Sequence, residues 1–370
     1  MTIQFEILII AMFVSASCAV LGSFLILRVM AMMSDAISHS VLLGIVLAFF
    51  VVSSLSSPLL IVGAGLSGLL TVVMVDVVNK KKFIKKDASI GLVFPLLFSI
   101  AIIIISKYAG NVHLDIDSVL LGELAFAPFN RFILDGTDIG PKSLYVMITL
   151  FILNSFFIAF FYKELKITTF DKSLSSTLGF RPNFLNLFLM GMVSITCVAA
   201  FDVVGSILVI AYMIIPPATA YLLTEKLSYM IILSVIIGML SSIAGFVLAN
   251  FINANIAGSI SVVCGLMFLL TLFLSPGNGI ISNYRDRIRK KWLFSESLLL
   301  VHLSNHEGQP DYNEESRIDH LNQHMLWDFK FGEKVVGIAL KNGYLLISGQ
   351  NLVLTDKGRE YVEEIKESTI

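Results

Sequence analysis

In the stretch MMSDAISHSVLLG (residues 32–44) an aspartate and a histidine stand four residues apart, Asp35 and His39. On a helix that spacing puts a carboxylate and an imidazole on one face. Both then reach one cation, and this donor pair suits manganese, iron or zinc. The other reading is a capped, solvated polar pair at the mouth of a helix. Ser34, Ser38, Ser40 and Gly44 around it are small, which suits close helix–helix contact. His113, Asp115 and Asp117 alternate as metal ligands do, and equally as a solvated face does. Asp202 either attracts a cation or caps a helix. Four of the six histidines, His302, His306, His320 and His324, lie near the C-terminus. His320 and His324 are four apart on an expected helix. With Glu307 or Asp319 as a third ligand they make a candidate regulatory metal site, against the plainer reading of surface histidines. Cys18, Cys197 and Cys264 sit in apolar segments and read as small buried thiols.

The elements that must position these groups follow from composition. The 370 residues are 56% hydrophobic and 14% charged, with a net charge of -1. That excludes an ordinary soluble globule, and global charge gives a nucleic-acid role no support. A spanning helix needs roughly 20 apolar residues. By that rule there are nine spans, near 5–27, 36–54, 58–78, 88–106, 142–162, 184–201, 203–222, 229–249 and 257–275. The first carries Glu6 and no basic leader or small-residue cleavage site, and is expected to stay in place as a span. Pro216-Pro217 removes backbone donors from the seventh span and is expected to kink or break it.

The basic loops NKKKFIKKD (79–87), YKELK (162–166) and RDRIRKK (285–291) fall on one side, which the positive-inside rule makes cytoplasmic. The N-terminus is then outside, the C-terminus inside, and the acidic stretch 112–140 external or re-entrant. Residues 163–183 form a long amphipathic cytoplasmic loop with Phe170, Leu174, Leu178 and Phe180 on a stripe ending at Gly179, a docking surface for a partner or the membrane interface. No G-x-x-x-x-G-K-[ST] sequence occurs, so an energised transporter would borrow its motor. After LSPGNG (274–279) the composition becomes that of a soluble domain. The division is 1–280 and 281–370, the first an all-α polytopic membrane domain. The end of the second reads as helix, Asn-Gly break, strand, Gly-containing turn, strand and helix, the shape of a small α+β winged helix.

Five segments, MMSDAISHSVLLGIVLAF, DASIGLVFPLLFSI, LDIDSVLLGEL, KELKITTFDKSLSSTLGF and DVVGSILVIAYMIIPPATAYLLT, together resemble the permease subunit of metal-uptake ATP-binding-cassette transporters, in family order over residues 1 to about 275. The resemblance implies import of manganese, zinc or iron(II) across the cell membrane, with no permanently bound cofactor and no enzymatic activity of its own. It implies a separate P-loop ATPase, an extracytoplasmic lipoprotein or periplasmic protein that delivers the metal, and a second permease, identical or paralogous. Asp35 and His39 match the family's metal path. Phe170, Asp171, Leu178 and Gly179 match its ATPase-facing loop, and Leu174 lies on the same stripe. SSTLG stands where relatives often carry alanines, and the tail is an addition to the usual length. Its LTDKGREYVEEI resembles the wing-to-helix stretch of metal-responsive repressors.

Manganese is the first expectation, then zinc and iron(II). A permease of this architecture for a siderophore or cobalamin would not need Asp35 and His39. A membrane-tethered transcription regulator is the reading from another class. Residues 282–370 hold 12 Lys/Arg against 14 Asp/Glu, which lacks the basic footprint of DNA binding.

Overall fold

Residues 3–27 hold one acidic side chain, no proline and an otherwise apolar run, and they form a single helix, α1 (Ile3–Leu27). In the computed structural model, residues 2–52, 57, 59–79, 86–108, 123–134, 137–317, 320 and 325–368 are described. They divide into two compact units, Met1–Gly279 and Ile280–Ile370. Among the described residues nine helices are long and apolar enough to cross a membrane.

Eight further spans follow α1 in the first unit: α2 (Met33–Val52), α3 (Leu59–Asn79), α4 (Lys86–Tyr108), α5 (Lys142–Phe160), α8 (Pro182–Val204), α9 (Ser206–Leu223), α10 (Leu227–Ile252) and α11 (Ile256–Leu274). Two short helices, α6 (Tyr162–Phe170) and α7 (Lys172–Thr177), connect α5 to α8, and an antiparallel hairpin of β1 (Arg131–Leu134) and β2 (Thr137–Pro141) precedes α5. The central helix is α1, packed against α5, α9 and α10. Of its most apolar window 78% is buried, against 22% for α5 and for α11, so α1 sits inside the bundle and those two on its edge. Beside it, α2 packs on α3 and α4.

Helix ends follow local chemistry. Pro182 starts α8 at a position that needs no N–H, and Gly205 at φ 79° stops it. The αL residue Asn253 ends α10, and the Asn255 side chain accepts from Gly258 N at 3.0 Å to start α11.

One expectation is narrowed and one corrected. Of the kink or break expected at Pro216-Pro217, the break does not occur, because α9 runs through both prolines. The absent N–H of Pro217 leaves the Met213 carbonyl without its i+4 donor, and Gly22 of α1 lies against that carbonyl so closely that a Cβ there would collide with its oxygen. The docking loop is not one helical stripe. It breaks at Asp171 (φ −144°, ψ 102°), whose side chain accepts from Leu174 N at 2.9 Å and so starts α7.

In the second unit the order is α12 (Ile280–His306), the short α13 (Tyr312–Glu315), α14 (Phe329–Lys341), β3 (Leu345–Ser348), β4 (Asn351–Leu354) and α15 (Asp356–Ser368). Asn342-Gly343, with Gly343 at φ 76°, ends α14, and the strands pair from Leu345 with Leu354 to Ser348 with Asn351. This is the helix, hairpin and helix order read from the sequence. Leu299, Leu303, Val335, Ala339, Leu352 and Val362 form its own core.

Replacing Gly22 with Ala is expected to lower the thermal unfolding midpoint of the detergent-solubilised protein, since overpacking costs about 1–3 kcal/mol. Gly65→Ala, where a Cβ meets nothing within 4 Å, is expected to leave it equal or higher. Equal midpoints for Gly22→Ala and the parent would show that α1 and α9 are not held at this spacing.

Candidate functional site

Asp35 lies in the first turn of α2 and His39 one turn on, with His39 Nε2 3.4 Å from an Asp35 carboxylate oxygen. Their side chains are 33% and 39% exposed, so the pair is open to an incoming ion. The imidazole is fixed from α4, stacked on Phe94 at 5.6 Å between centroids and meeting the edge of Phe98 at 5.7 Å. Phe94 and Phe98 repeat at the same four-residue interval as Asp35 and His39. That spacing was visible in the sequence, but only the packing of α4 on α2 gives it meaning.

The small residues fix α2 in place. Ser38 Oγ donates to Ser34 O at 2.6 Å and Ser40 Oγ to Ile37 O at 3.0 Å. From α3, Thr71 Oγ1 donates to Ser40 Oγ at 2.6 Å and Ser67 Oγ to Ser40 O at 3.0 Å, while Gly44 faces Gly63 backbone to backbone. The face of α2 behind the pair is thus bonded to α3, and the pair faces α4.

One residue beyond α1, Arg28 is a functional candidate that sequence reasoning missed. It is 8% exposed, and its guanidinium donates to Thr169 Oγ1 at 3.0 Å, Thr168 Oγ1 at 3.2 Å and Asn186 Oδ1 at 2.8 Å. It therefore joins the α1–α2 turn to α6 and α8. A lone arginine after an apolar run was the only signal, and its partners stand 140 to 158 residues away.

Phe170, Leu174 and Leu178 are 64%, 49% and 55% exposed, far more than α6 and α7 need for their own packing. Gly179, at φ 85°, follows the last turn of α7, where Phe180 N donates to Ser175 O at 3.1 Å in a Schellman closure. Phe170 borders a hollow of about 400 Å³ ringed by Leu27, Tyr221, Thr224, Glu225 and Lys226. The loop thus presents apolar side chains beside a partly charged recess.

Other candidates do not join Asp35 and His39. Asp202 is exposed in the last turn of α8, and the residue at the N-cap of α9 is Gly205, so Asp202 is not its N-cap. His113, Asp115 and Asp117 lie outside the described residues, as do His324 and Asp319. All three cysteines are buried free thiols. A groove of about 660 Å³ between α3, α5 and α8 is lined by Ile61, Leu66, Tyr145, Leu150 and Ile195, and offers a cation no carboxylate or imidazole. In the second unit His320 Nδ1 is 3.4 Å from Glu315, whereas Glu307 is held by Arg359 at 2.7 Å. Glu315, absent from the sequence-based ligand set, is the carboxylate that lies beside His320.

The description "ABC 3 transport family" matches residues 2–275. The chain is 45% identical over 281 residues to the manganese transport system membrane protein MntD of Bacillus subtilis, covering 75% of this chain and 95% of that one. It is 42% identical over 353 residues to the zinc transport system membrane protein TroD of Treponema pallidum, covering 95% and 96%, so that likeness runs on through the second unit. Among solved structures, PsaBC from Streptococcus pneumoniae in complex with Fab is similar at 29% identity and a TM-score of 0.61, over 75% of this chain and 94% of that one. With nine apolar helices among the described residues and this sequence match, the protein is a multi-pass membrane transport subunit, and the chain belongs to the ABC 3 transport family.

Proposed function

We propose that this protein is the membrane permease of an ATP-binding-cassette importer for a divalent transition metal, manganese first, then zinc or iron(II). The observation that carries the reading is the Asp35–His39 pair, an open carboxylate–imidazole station backed by Phe94 and Phe98. An ionisable pair in a spanning helix is costly and usually serves a pathway. The relatives' names, manganese for one and zinc for another, support the same class of cargo. A siderophore or cobalamin pathway would have no use for a two-ligand station of this size.

Two donors per chain leave a cation half its usual ligand number in a tetrahedral site. A second permease packed about a two-fold or pseudo-two-fold axis would add another pair. The motor is a separate P-loop ATPase seated on the loop of Phe170, Asp171, Leu174, Leu178 and Gly179. The metal arrives from an extracytoplasmic lipoprotein or periplasmic binding protein. The N-terminus is outside, and the α1–α2 turn, the docking loop and the C-terminal unit are cytoplasmic. Two side-chain links support that topology within the membrane unit. Arg28 ties the end of α1 to α6, and at the opposite end Arg131 of the β1–β2 hairpin contacts Glu6 at 3.2 Å. We further propose a division at 1–280 and 281–370, the second part a winged-helix-like domain that is not a DNA reader.

Arg28 gives the proposal a physical line of transmission. A displaced α6 pulls through Thr168 and Thr169 on the guanidinium, seven residues before Asp35, so docking and the ion station share one short stretch of chain.

Asp35→Asn and His39→Ala are each expected to reduce metal uptake by more than about 10-fold, with expression and ATPase association unchanged. Normal transport in both would make the pair a structural helix start.

Phe170→Asp or Leu178→Asp is expected to abolish co-purification of the ATPase, as loss of an interface anchor costs about 2 kcal/mol or more. Undiminished co-purification would put the docking surface elsewhere.

A further inference from the structure

At the C-terminal end of α12, His302 and His306 are four residues apart on one face, with ring centroids 4.7 Å apart. The chain then turns through α13 and returns Glu315, only 8% exposed, against them. Glu315 Oε2 is 3.2 Å from His302 Nε2 and 3.4 Å from His320 Nδ1. Donor atoms of His302, His306 and Glu315 all lie within 4.8 Å of one another.

Those separations have a specific meaning. Zinc bonds of about 2.0–2.1 Å to nitrogen and oxygen place the corners of a tetrahedron about 3.3 Å apart. The 3.2 Å spacing of His302 Nε2 and Glu315 Oε2 falls on that edge length, at the long limit of an N–H···O hydrogen bond. A single carboxylate oxygen, moreover, is approached by two imidazoles.

His306 carries a further mark of a ligand. Its Nδ1 lies 3.0 Å from Asp311 Oδ2. With Nδ1 donating to that carboxylate, Nε2 keeps its lone pair, the arrangement that orients metal-binding histidines. Glu307, by contrast, is engaged by Arg359 through three hydrogen bonds of 2.7 to 3.2 Å, and so stands outside the set.

We propose that His302, His306 and Glu315 form a three-ligand site for a divalent transition metal, with zinc the best fit to the His302–Glu315 spacing and His320 beside the same carboxylate. Two imidazoles and one carboxylate supply three tetrahedral positions and leave the fourth to water. An ion there clamps residues 307–317 against the end of α12. That segment is already pinned to the hairpin: Tyr312 OH donates to Leu352 O at 3.2 Å, and Leu352 N donates to Ser316 O at 3.0 Å. Occupancy therefore tightens the junction of α12 with β4. The site is independent of the transport reading, since it shares no residue with Asp35 and His39.

The test uses the full chain in detergent, stripped with chelator, in an Asp35→Asn/His39→Ala background so that the α2 pair does not contribute. Titration with zinc(II), and with cobalt(II) as a coloured reporter, is expected to give one tight equivalent and the intense visible absorption of tetrahedral cobalt. Glu315→Gln and His302→Gln are each expected to weaken binding at least about 10-fold, while Glu307→Gln retains it. Metal is also expected to slow amide exchange across 307–317 in the parent and not in Glu315→Gln. Equal stoichiometry and affinity in a His302→Gln/His306→Gln/Glu315→Gln chain would overturn the site, as would the weak spectrum of octahedral cobalt.

Discussion

The membrane unit depends on one constraint: inside hydrocarbon, no water remains to satisfy a polar group, so each must find its partner within the protein. Among the described residues nine apolar helices close their own backbones, and several polar side chains bond from one helix to another. Tyr212 meets Ser242 at 2.5 Å, Asn154 donates to Thr196 at 3.0 Å, Ser17 to Met147 O at 3.2 Å, and Ser23 to Ser234 at 3.2 Å. Each of these bonds joins two different helices. Polar residues that would be a burden in lipid thereby fix which helices are neighbours. The same logic places Gly22 against the carbonyl that Pro217 leaves without a donor.

The two ends of α1 are then the fixed points of the fold. Glu6 at its start is 5% exposed and engaged by Arg131, which also pairs with Asp138. Arg28 just past its end is buried among Thr168, Thr169 and Asn186. Between them lies the most buried helix of the bundle. A buried guanidinium holding three side-chain acceptors is worth more as a link than as a source of stability, because hydrogen bonds to a charged group are about 1.5–3 kcal/mol each only while all partners stay in place. It resists separation of α6 from the α1–α2 turn and lets both move as one body.

What could be read directly from the chain follows from range. Spans, loop charge, the Asn342-Gly343 break and the four-residue spacing of Asp35 and His39 are local patterns. All are visible without knowing what packs on what. The break at Asp171 was also local, an N-cap residue three before Leu174, but the apolar spacing of Phe170 and Leu174 masked it. Arg28 with its partners, the Phe94–Phe98 backing of His39 and the return of Glu315 to His302 all need contacts that no periodicity encodes. His302 and His306 repeat at the same interval as His320 and His324, so spacing alone gave no reason to prefer one pair. Only the turn through α13 brings the Glu315 carboxylate to His302, with His320 on the same oxygen.

Two donor sets in one chain illustrate opposite demands on metal binding. A station on a pathway must take enough of an ion's hydration shell to admit it, and must hold it weakly enough to release it. As the proposed station, Asp35 and His39 would meet that demand with two ligands, about a third or more exposed, the imidazole held by aromatic rings rather than by the ion. Because Phe94 and Phe98 fix the imidazole, little ordering entropy is lost when a cation arrives, and a two-ligand site retains no more than it must. The proposed cluster of His302, His306 and Glu315 has the reverse character: three donors, a buried carboxylate among them, and Asp311 behind one imidazole. Such a site would keep an ion. Retention and transit therefore separate by ligand number and burial, even though both sets draw on the same two side-chain chemistries.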